Sequence, residues 1–473
     1  MLSAFSALSA CRRGAARLAA ATLVSGLVAA GAVATAGTAV ADETPQSPGG
    51  ATATLGDLKT YGSAVIHDHG EDSWVSAGLF EMSVDDGGTL QTYCIDLHNP
   101  TQRDARYQET SWSGTSLSGN KDAGRIRWIL RNSYPQVNDL SALAEKAGVG
   151  GLTEQDAAAG TQVAIWRYSD GADVDAADPK AEKLADYLQR NARDLPEPDA
   201  SLTLTPAAVS GHPGERLGPV TVHTDADGVT VAPPADTAAS GVKVVDGHGK
   251  PVTSAADGSR LFFDIPKDSA DGSASLTVQA STSVPVGRAF ASDSRSQTQI
   301  LAGSSESTVS ATATVDWAAK GAIPALTAEK NCADGGVDIT AVNKGDEAFT
   351  FELMGVEHTI AAGAAQTMTV PLQEDQAYDF TISGPSGFAK RFKGVLDCRT
   401  QGGASDITTQ TVGEPSPASI GGSGFGGSDL AETGGSGATP VIAGVAIALV
   451  LVGGAAVLFV RRKQTPEQGP AQD

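Results

Sequence analysis

Alternating apolar and polar positions mark two strands early in the chain, Val75 to Val84 and Thr89 to Leu97. Asp85-Asp86-Gly87-Gly88 between them has the turn chemistry of a hairpin. The period then lengthens. Ile126, Trp128, Ile129 and Leu130 predict a short helix, and Thr153 with Asp156 three places on predicts the capped start of another, ending near Arg167 or Tyr168. Asp178-Pro179 opens a third, with Ala181, Leu184 and Leu188 on its buried face.

Pro196-Glu197-Pro198 breaks this pattern. Short alternating strands follow between Gly, Pro and Asp turns: Leu202 to Leu204, Val220 to Val222, Leu261 to Ile265, Leu276 to Val278 and Val309 to Val315. A second β-rich stretch contains Val337 to Val342, Ala348 to Leu353, Thr367 to Val370 and Tyr378 to Ile382. The expected fold is therefore multidomain. It has an α+β domain over residues 53 to 196, then two all-β, Ig-like sandwich stalk domains over 200 to 320 and 323 to 398. Residues 399 to 429 are rich in Gly, Ser and Pro and are expected to form a disordered linker, having too few large apolar residues to offset the entropy of ordering.

Both ends carry export signals. Arg12, Arg13 and Arg17 precede an apolar run from Leu18 to Val33 and a small-residue site at Ala39-Val40-Ala41, the order of a signal peptide over residues 1 to 41. Near the other end an apolar span over residues 439 to 460 is long enough, at ~1.5 Å per helical residue, to cross a ~30 Å bilayer core. Arg461-Arg462-Lys463 begins a basic tail over residues 461 to 473. Ahead of the span stands Leu430-Ala431-Glu432-Thr433-Gly434. This order of motif, apolar span and basic tail resembles the sortase sorting signals of Gram-positive bacteria, in the actinobacterial form with Ala431 where the commoner form has Pro. The resemblance implies cleavage between Thr433 and Gly434 and transfer of the Thr433 carboxyl to a cell-wall amine, with sortase and peptidoglycan as partners.

Charge narrows the function. The chain has 33 Lys and Arg against 55 Asp and Glu, a formal net charge of −22. Such a surface repels phosphate backbones and argues against nucleic-acid binding.

Four cysteines remain to be placed. Cys11 leaves with the signal peptide; Cys332 and Cys398 flank the last β-rich segment and are placed to pair in an oxidising exterior. Cys94 is left as the unpaired thiol of the mature chain. Gln162 shares its helix face with Ala158, Ala159 and Trp166, and a carboxamide in an apolar stripe needs a partner. A buried Gln satisfied by backbone hydrogen bonds and a Cys serving as a small core residue are the plain readings. Attack of the thiol on the Gln162 carbonyl, releasing ammonia and leaving an internal thioester, is the reactive one.

Tyr93-Cys94-Ile95-Asp96 and Thr161-Gln162-Val163-Ala164-Ile165-Trp166 resemble the two signature motifs of the thioester domains of Gram-positive surface adhesins. The likeness covers roughly residues 53 to 196, with the two motifs 68 positions apart. It implies a Cys94–Gln162 cross-link that reacts once with an amine, such as a lysine of a target protein, without enzymatic turnover and without a cofactor. Tyr93 and Trp166 are candidate walls of the site, against ordinary core aromatics. Asp96 is a candidate for orienting or deprotonating the amine, against a hydrogen-bonded strand acid. His98 is a second candidate base, against a residue ending the strand.

Two other classes stay open. A Cys94 peptidase or transpeptidase needs a distal His, and only His98 or the pair His67 and His69 lie within the domain. His67-Asp68-His69 as a metal site lacks further ligands at a recognisable spacing, so no metal is expected. A non-covalent binding module on a stalk is the third class.

Overall fold

The computed structural model describes residues 49–68, 70–234 and 240–399. The signal peptide, the sorting motif with its apolar span and basic tail, and all but the first residue of the Gly/Ser/Pro linker lie outside the described residues. Among the described residues no helix is long and apolar enough to cross a membrane.

The first strand of the described residues is a long one that the sequence pattern left unread. Strand β1 (Thr52–Asp68) pairs antiparallel with β2 (Glu71–Val84) from Ala53↔Val84 to Asp68↔Glu71. Its middle alternates Thr, Gly and Ser with few large apolar residues, because much of its length faces solvent. Strand β3 (Thr89–Cys94) follows through the expected turn, where Asp86, Gly87 and Gly88 all take positive φ. After β4 (Arg106–Thr110) come α1 (Ala123–Asn132) and α2 (Leu140–Ala147), then α3 (Glu154–Ser169), β5 (Val174–Ala176) and α4 (Pro179–Asn191).

Three of these four helix starts have a side-chain cap. Thr153 and Asp156 form a complete capping box at α3, and the Asp178 side chain accepts from the Lys180 N–H ahead of Pro179 in α4. Helix α2, which the sequence reading did not predict, is capped by Asp139 and closed by Gly148 in the left-handed region. It is short, with only Leu143 and Ala144 buried, so it offers few repeats of an apolar period.

Helix α3 is buried on nearly every side from Ala157 to Trp166. The run Ala157-Ala158-Ala159-Gly160 allows this. A Cβ on Gly160 would stand 2.4 Å from the Ala181 carbonyl oxygen of α4, so only Gly lets the two backbones approach so closely.

The sheet of this first region runs β2, β3, the strand Gln299–Ser304, the strand Ala289–Ser292, β4, β1, β5, and the further pairing of β1 with β2 closes six of these strands into a ring. Two of the six come from beyond residue 196. The expected boundary thus leaves out part of the sheet, and the physical reason is a long ribbon. Strands Gly272–Ser283 and Glu306–Trp317 pair along their whole length, and the chain between their ends forms the hairpin that completes the ring.

The base of that ribbon belongs to a pair of sheets. Lys243–Val245, Arg260–Asp264, Arg216–Thr224 and Leu202–Thr205 form one; Ser254–Ala255, Val229–Ala232, Gly272–Ser283, Glu306–Trp317 and Ala208–Gly211 form the other. Inward residues such as Val222, Phe263, Val278 and Val315 alternate with exposed ones, and they join the core of the first region in one continuous apolar cluster. The last module, from Pro324 to Cys398, has three small sheets and its own core around Ile339, Phe349, Ile360 and Ile382. A disulfide joins Cys332 to Cys398.

Candidate functional site

Cys94 is the last residue of β3 and is wholly buried. On one side it stands directly opposite Gln299 in an antiparallel pair. On the other, β2 keeps company with β3 only as far as Phe80↔Thr92, so the backbone of Cys94 has no strand beside it there. Gln162 fills that place. Cys94 N–H donates to Gln162 Oε1 at 3.0 Å, and Gln162 Nε2 donates to the Cys94 carbonyl at 2.9 Å. The carboxamide thus imitates a strand backbone, and both of its polar atoms are committed.

The Cys94 thiol meets a different amide. Gln299 Nε2 lies 3.2 Å from Cys94 Sγ, while Gln299 Oε1 accepts from the Thr92 hydroxyl at 3.0 Å. Thr92 and Cys94 are two apart on one strand, so both face Gln299. Thr101 Oγ1 is 3.9 Å from the sulfur and donates to Gln297 Oε1 at 2.9 Å; Gln297 Nε2 in turn donates to the Asp96 carbonyl. Tyr107, from β4, donates to the Gln297 carbonyl at 2.7 Å. Cys94, Thr92, Gln297 and Gln299 have essentially no solvent exposure. Burial pushes the Cys94 thiol up to about 12, against smaller opposing effects of Gln299 and Thr101, so the free sulfur is a thiol and not a thiolate at neutral pH.

The predicted pairing therefore meets an unexpected arrangement. The structure brings Gln162 to the backbone of Cys94, as the plain reading of a buried Gln would have it, and brings Gln299 to its sulfur. Gln299 was missed because it sits among strands assigned to a stalk. One signal was available: Thr298-Gln299-Ile300 repeats the Thr-Gln-branched pattern of Thr161-Gln162-Val163.

The other candidates separate. Tyr93 is buried, but neighbours on a strand face opposite ways, and its hydroxyl donates to the Tyr134 carbonyl at 2.9 Å, away from the thiol. Tyr107 is the aromatic on the sulfur side. Trp166 is buried one helical turn beyond Gln162, with no hydrogen-bond partner on Nε1. Asp96 lies past the end of β3 and is buried; Asn99 donates to Oδ2, and Oδ1 has no partner. Burial first, then the charges of Asp397 and Asp170, raise its carboxyl to about 9. This shift disfavours the ionised form that a general base needs. His98 is half-buried, and burial lowers its pKa. His67 sits at the surface between Asp72 and Asp175, at 2.6 and 3.4 Å, and His69 is outside the described residues. Among the described residues the hydrogen-bonding neighbours of the thiol are amide and hydroxyl groups, and no imidazole is one of them.

Comparison with known proteins agrees with part of this picture. Residues 91–194 match the family model of the thioester domain, a stretch that holds Cys94 and Gln162 and ends before Gln299. Residues 312–395 match that of the bacterial phospholipase C, C-terminal domain. No curated protein matches. Among solved structures, the Bacillus anthracis TIE protein is similar at 16% identity, over 73% of this chain and 64% of that one, with a TM-score of 0.27. This chain thus covers less than two thirds of that protein's length. The thioester domain of the Enterococcus faecium TIE86 protein is similar at 14% identity, over 57% of this chain and 96% of that one, with a TM-score of 0.27. That of the Staphylococcus aureus TIE protein is similar at 12%, over 56% and 98%, with a TM-score of 0.16.

Proposed function

We propose that this chain is a Gram-positive surface adhesin that forms one internal thioester between Cys94 and Gln299 and uses it once, to bond covalently to an amine such as a lysine side chain on a target. The observation that carries this reading is the 3.2 Å approach of Gln299 Nε2 to Cys94 Sγ in a site closed to water.

The chemistry balances without a cofactor. Sγ bonds to Cδ of Gln299, the Cδ–Nε2 bond breaks, and the thiol proton leaves with the nitrogen as ammonia. The nitrogen that must leave is the atom nearest the sulfur, so the proton has a short path. The Thr92 hydroxyl, donating to Oε1, stabilises negative charge on that oxygen as sulfur adds. Gln162 holds the Cys94 backbone throughout. The thioester then acylates an incoming amine and returns the thiol. Because the acyl group is consumed, the protein acts once and does not turn over.

Export and anchoring belong to the same proposal and rest on sequence alone: the signal peptide before Asp42, and Leu430 to Gly434 ahead of the apolar span and basic tail. Sortase and peptidoglycan are the partners at that end.

Intact mass of the secreted chain tests the core claim. One ammonia is lost, methylamine adds to the product, and Cys94→Ala shows neither change. Tryptic mapping locates the acyl group: methylamide on the peptide from Ser296 to Lys320 assigns Gln299, and methylamide on Ala147 to Arg167 returns the assignment to Gln162. The full calculated mass with an alkylatable Cys94 would sink the reading.

A further inference from the structure

The last module reaches the site one residue away from Gln299. Thr298 is buried; its carbonyl accepts from Ile95 N–H at 3.2 Å, and its hydroxyl donates to Asp397 Oδ2 at 2.8 Å. Asp397 adjoins Cys398, and the disulfide partner Cys332 donates its N–H to the Ser113 carbonyl at 3.2 Å. Two more contacts hold the approach to Gln299: Arg295 Nε donates to the Asp375 carbonyl at 3.1 Å, and Lys393 Nζ stands 3.6 Å from Asp293.

We propose that Asp397 is a positioning residue for the thioester, fixing Thr298 and through it the Gln299 carboxamide against Cys94. The module from Pro324 to Cys398 is then a working part of the acyl-donor site and more than a spacer. The inference rests on the Cys94–Gln299 reading above.

Geometry supplies the mechanism. Adjacent strand residues face opposite ways, so when the Thr298 hydroxyl is held from outside, Gln299 is aimed inward. Acyl transfer needs reacting atoms about 3–3.5 Å apart, and a displacement of about 1 Å costs on the order of 10²-fold in rate. Asp397 sits near the buried Lys330 charge, but its surroundings are otherwise costly. Its other oxygen is buried with no hydrogen-bond partner, and oxygens of Glu374, Asp375 and Asp397 all lie within 4.8 Å of one another. Burial lifts its carboxyl to about 6, the Thr298 hydrogen bond and then the nearby Lys330 charge offsetting only part of this. A carboxylate kept in so unfavourable a place is best explained by what it holds.

The test follows ammonia release as the full chain refolds under oxidising conditions. Asp397→Ala is expected to slow release on the order of 10²-fold, and Asp397→Asn to restore it, since its side-chain oxygen still accepts from Thr298. Thr298→Val, which removes the hydroxyl and keeps the shape, is expected to slow release like Asp397→Ala. Unchanged release in Thr298→Val overturns the proposal even where Asp397→Ala fails to fold, and so does slowing that Asn does not relieve. An unaltered chain that releases no ammonia removes the thioester reading and this inference with it; equal release from every variant removes the inference alone.

Discussion

Gln299 and Cys94 face each other across an antiparallel pair with Nε2 3.2 Å from Sγ, although 205 residues separate them in sequence. The proposed acyl donor therefore arrives on a hairpin carried by the second region, and the Cys94–Gln299 contact forms only when that hairpin is in the ring.

Thr92 donates to Gln299 Oε1, the carbonyl oxygen of the proposed acyl donor. Thr92→Val keeps the shape and removes the hydroxyl. Loss of one such donor typically costs on the order of 10²–10³-fold, so ammonia release is expected to slow by that factor while the chain stays folded. A variant that matches the unaltered rate would place the stabilising donor elsewhere.

Gln162 has a separable, structural part. Gln162→Leu strips partners from the Cys94 N–H and carbonyl, each buried, at about 1–3 kcal/mol for every group left unpaired. Urea unfolding is expected to show that loss, while the folded fraction still releases ammonia. Gln299→Leu is expected to behave the opposite way: it unpairs one buried group, the Thr92 hydroxyl, where Gln162→Leu unpairs two, and it leaves a permanently alkylatable thiol. The reverse pattern would identify Gln162 as the acyl donor.

The buried acids set the response to pH. Burial raises Asp96 to about 9 and Asp170 to about 7, so the folded chain keeps protons that the unfolded chain releases near the ordinary carboxylate value of about 4. Their stabilising contribution is full below about 4 and is lost as pH rises through the folded values. Asp96→Asn is therefore expected to gain stability over the unaltered chain progressively between about pH 4 and 9. Urea midpoints whose difference stays constant across that window would show that Asp96 does not titrate in this way.

Much of this fold is legible in the sequence because it is local. The capping box at Thr153, the Asp178-Pro179 start and the turn at Asp86 to Gly88 each depend on a few neighbouring residues, and each appears where the pattern predicts it. The site is less legible because it is not local. Cys94 and Gln162 announce themselves by motif, and they do meet. What the motif leaves open is which atoms meet, since a Gln can satisfy a backbone or offer its acyl carbon from the same place on a helix. Gln299 lies on a strand of buried apolar residues, Ile300, Leu301 and Ala302, whose pattern speaks only of a core. Its partner is chosen by the register of a hairpin, and register is a property of the assembled sheet.

The joint that seats the hairpin gives the last prediction. Arg288, one residue before the strand Ala289–Ser292, donates from Nε to Glu109 Oε1 at 3.0 Å, with only 7% and 1% of the two side chains exposed. Glu109 also accepts from the Ser201 and Ala51 N–H groups at 2.9 and 3.1 Å, tying β4 to the residue just before β1 and to the linker between regions. Glu109→Ala leaves the buried Ser201 and Ala51 N–H groups unpaired, at about 1–3 kcal/mol each, while Arg288 keeps Glu197 Oε1 at 2.9 Å and the Pro198 carbonyl at 3.1 Å. The variant is expected to lose stability on that scale. It should also loosen the hairpin before the rest unfolds, so that water reaches the proposed thioester and the protein carries a hydrolysed Gln299, read as a Glu at that position by peptide mapping. Hydrolysis unchanged at matched temperature would mean that the hairpin is held without this ion pair.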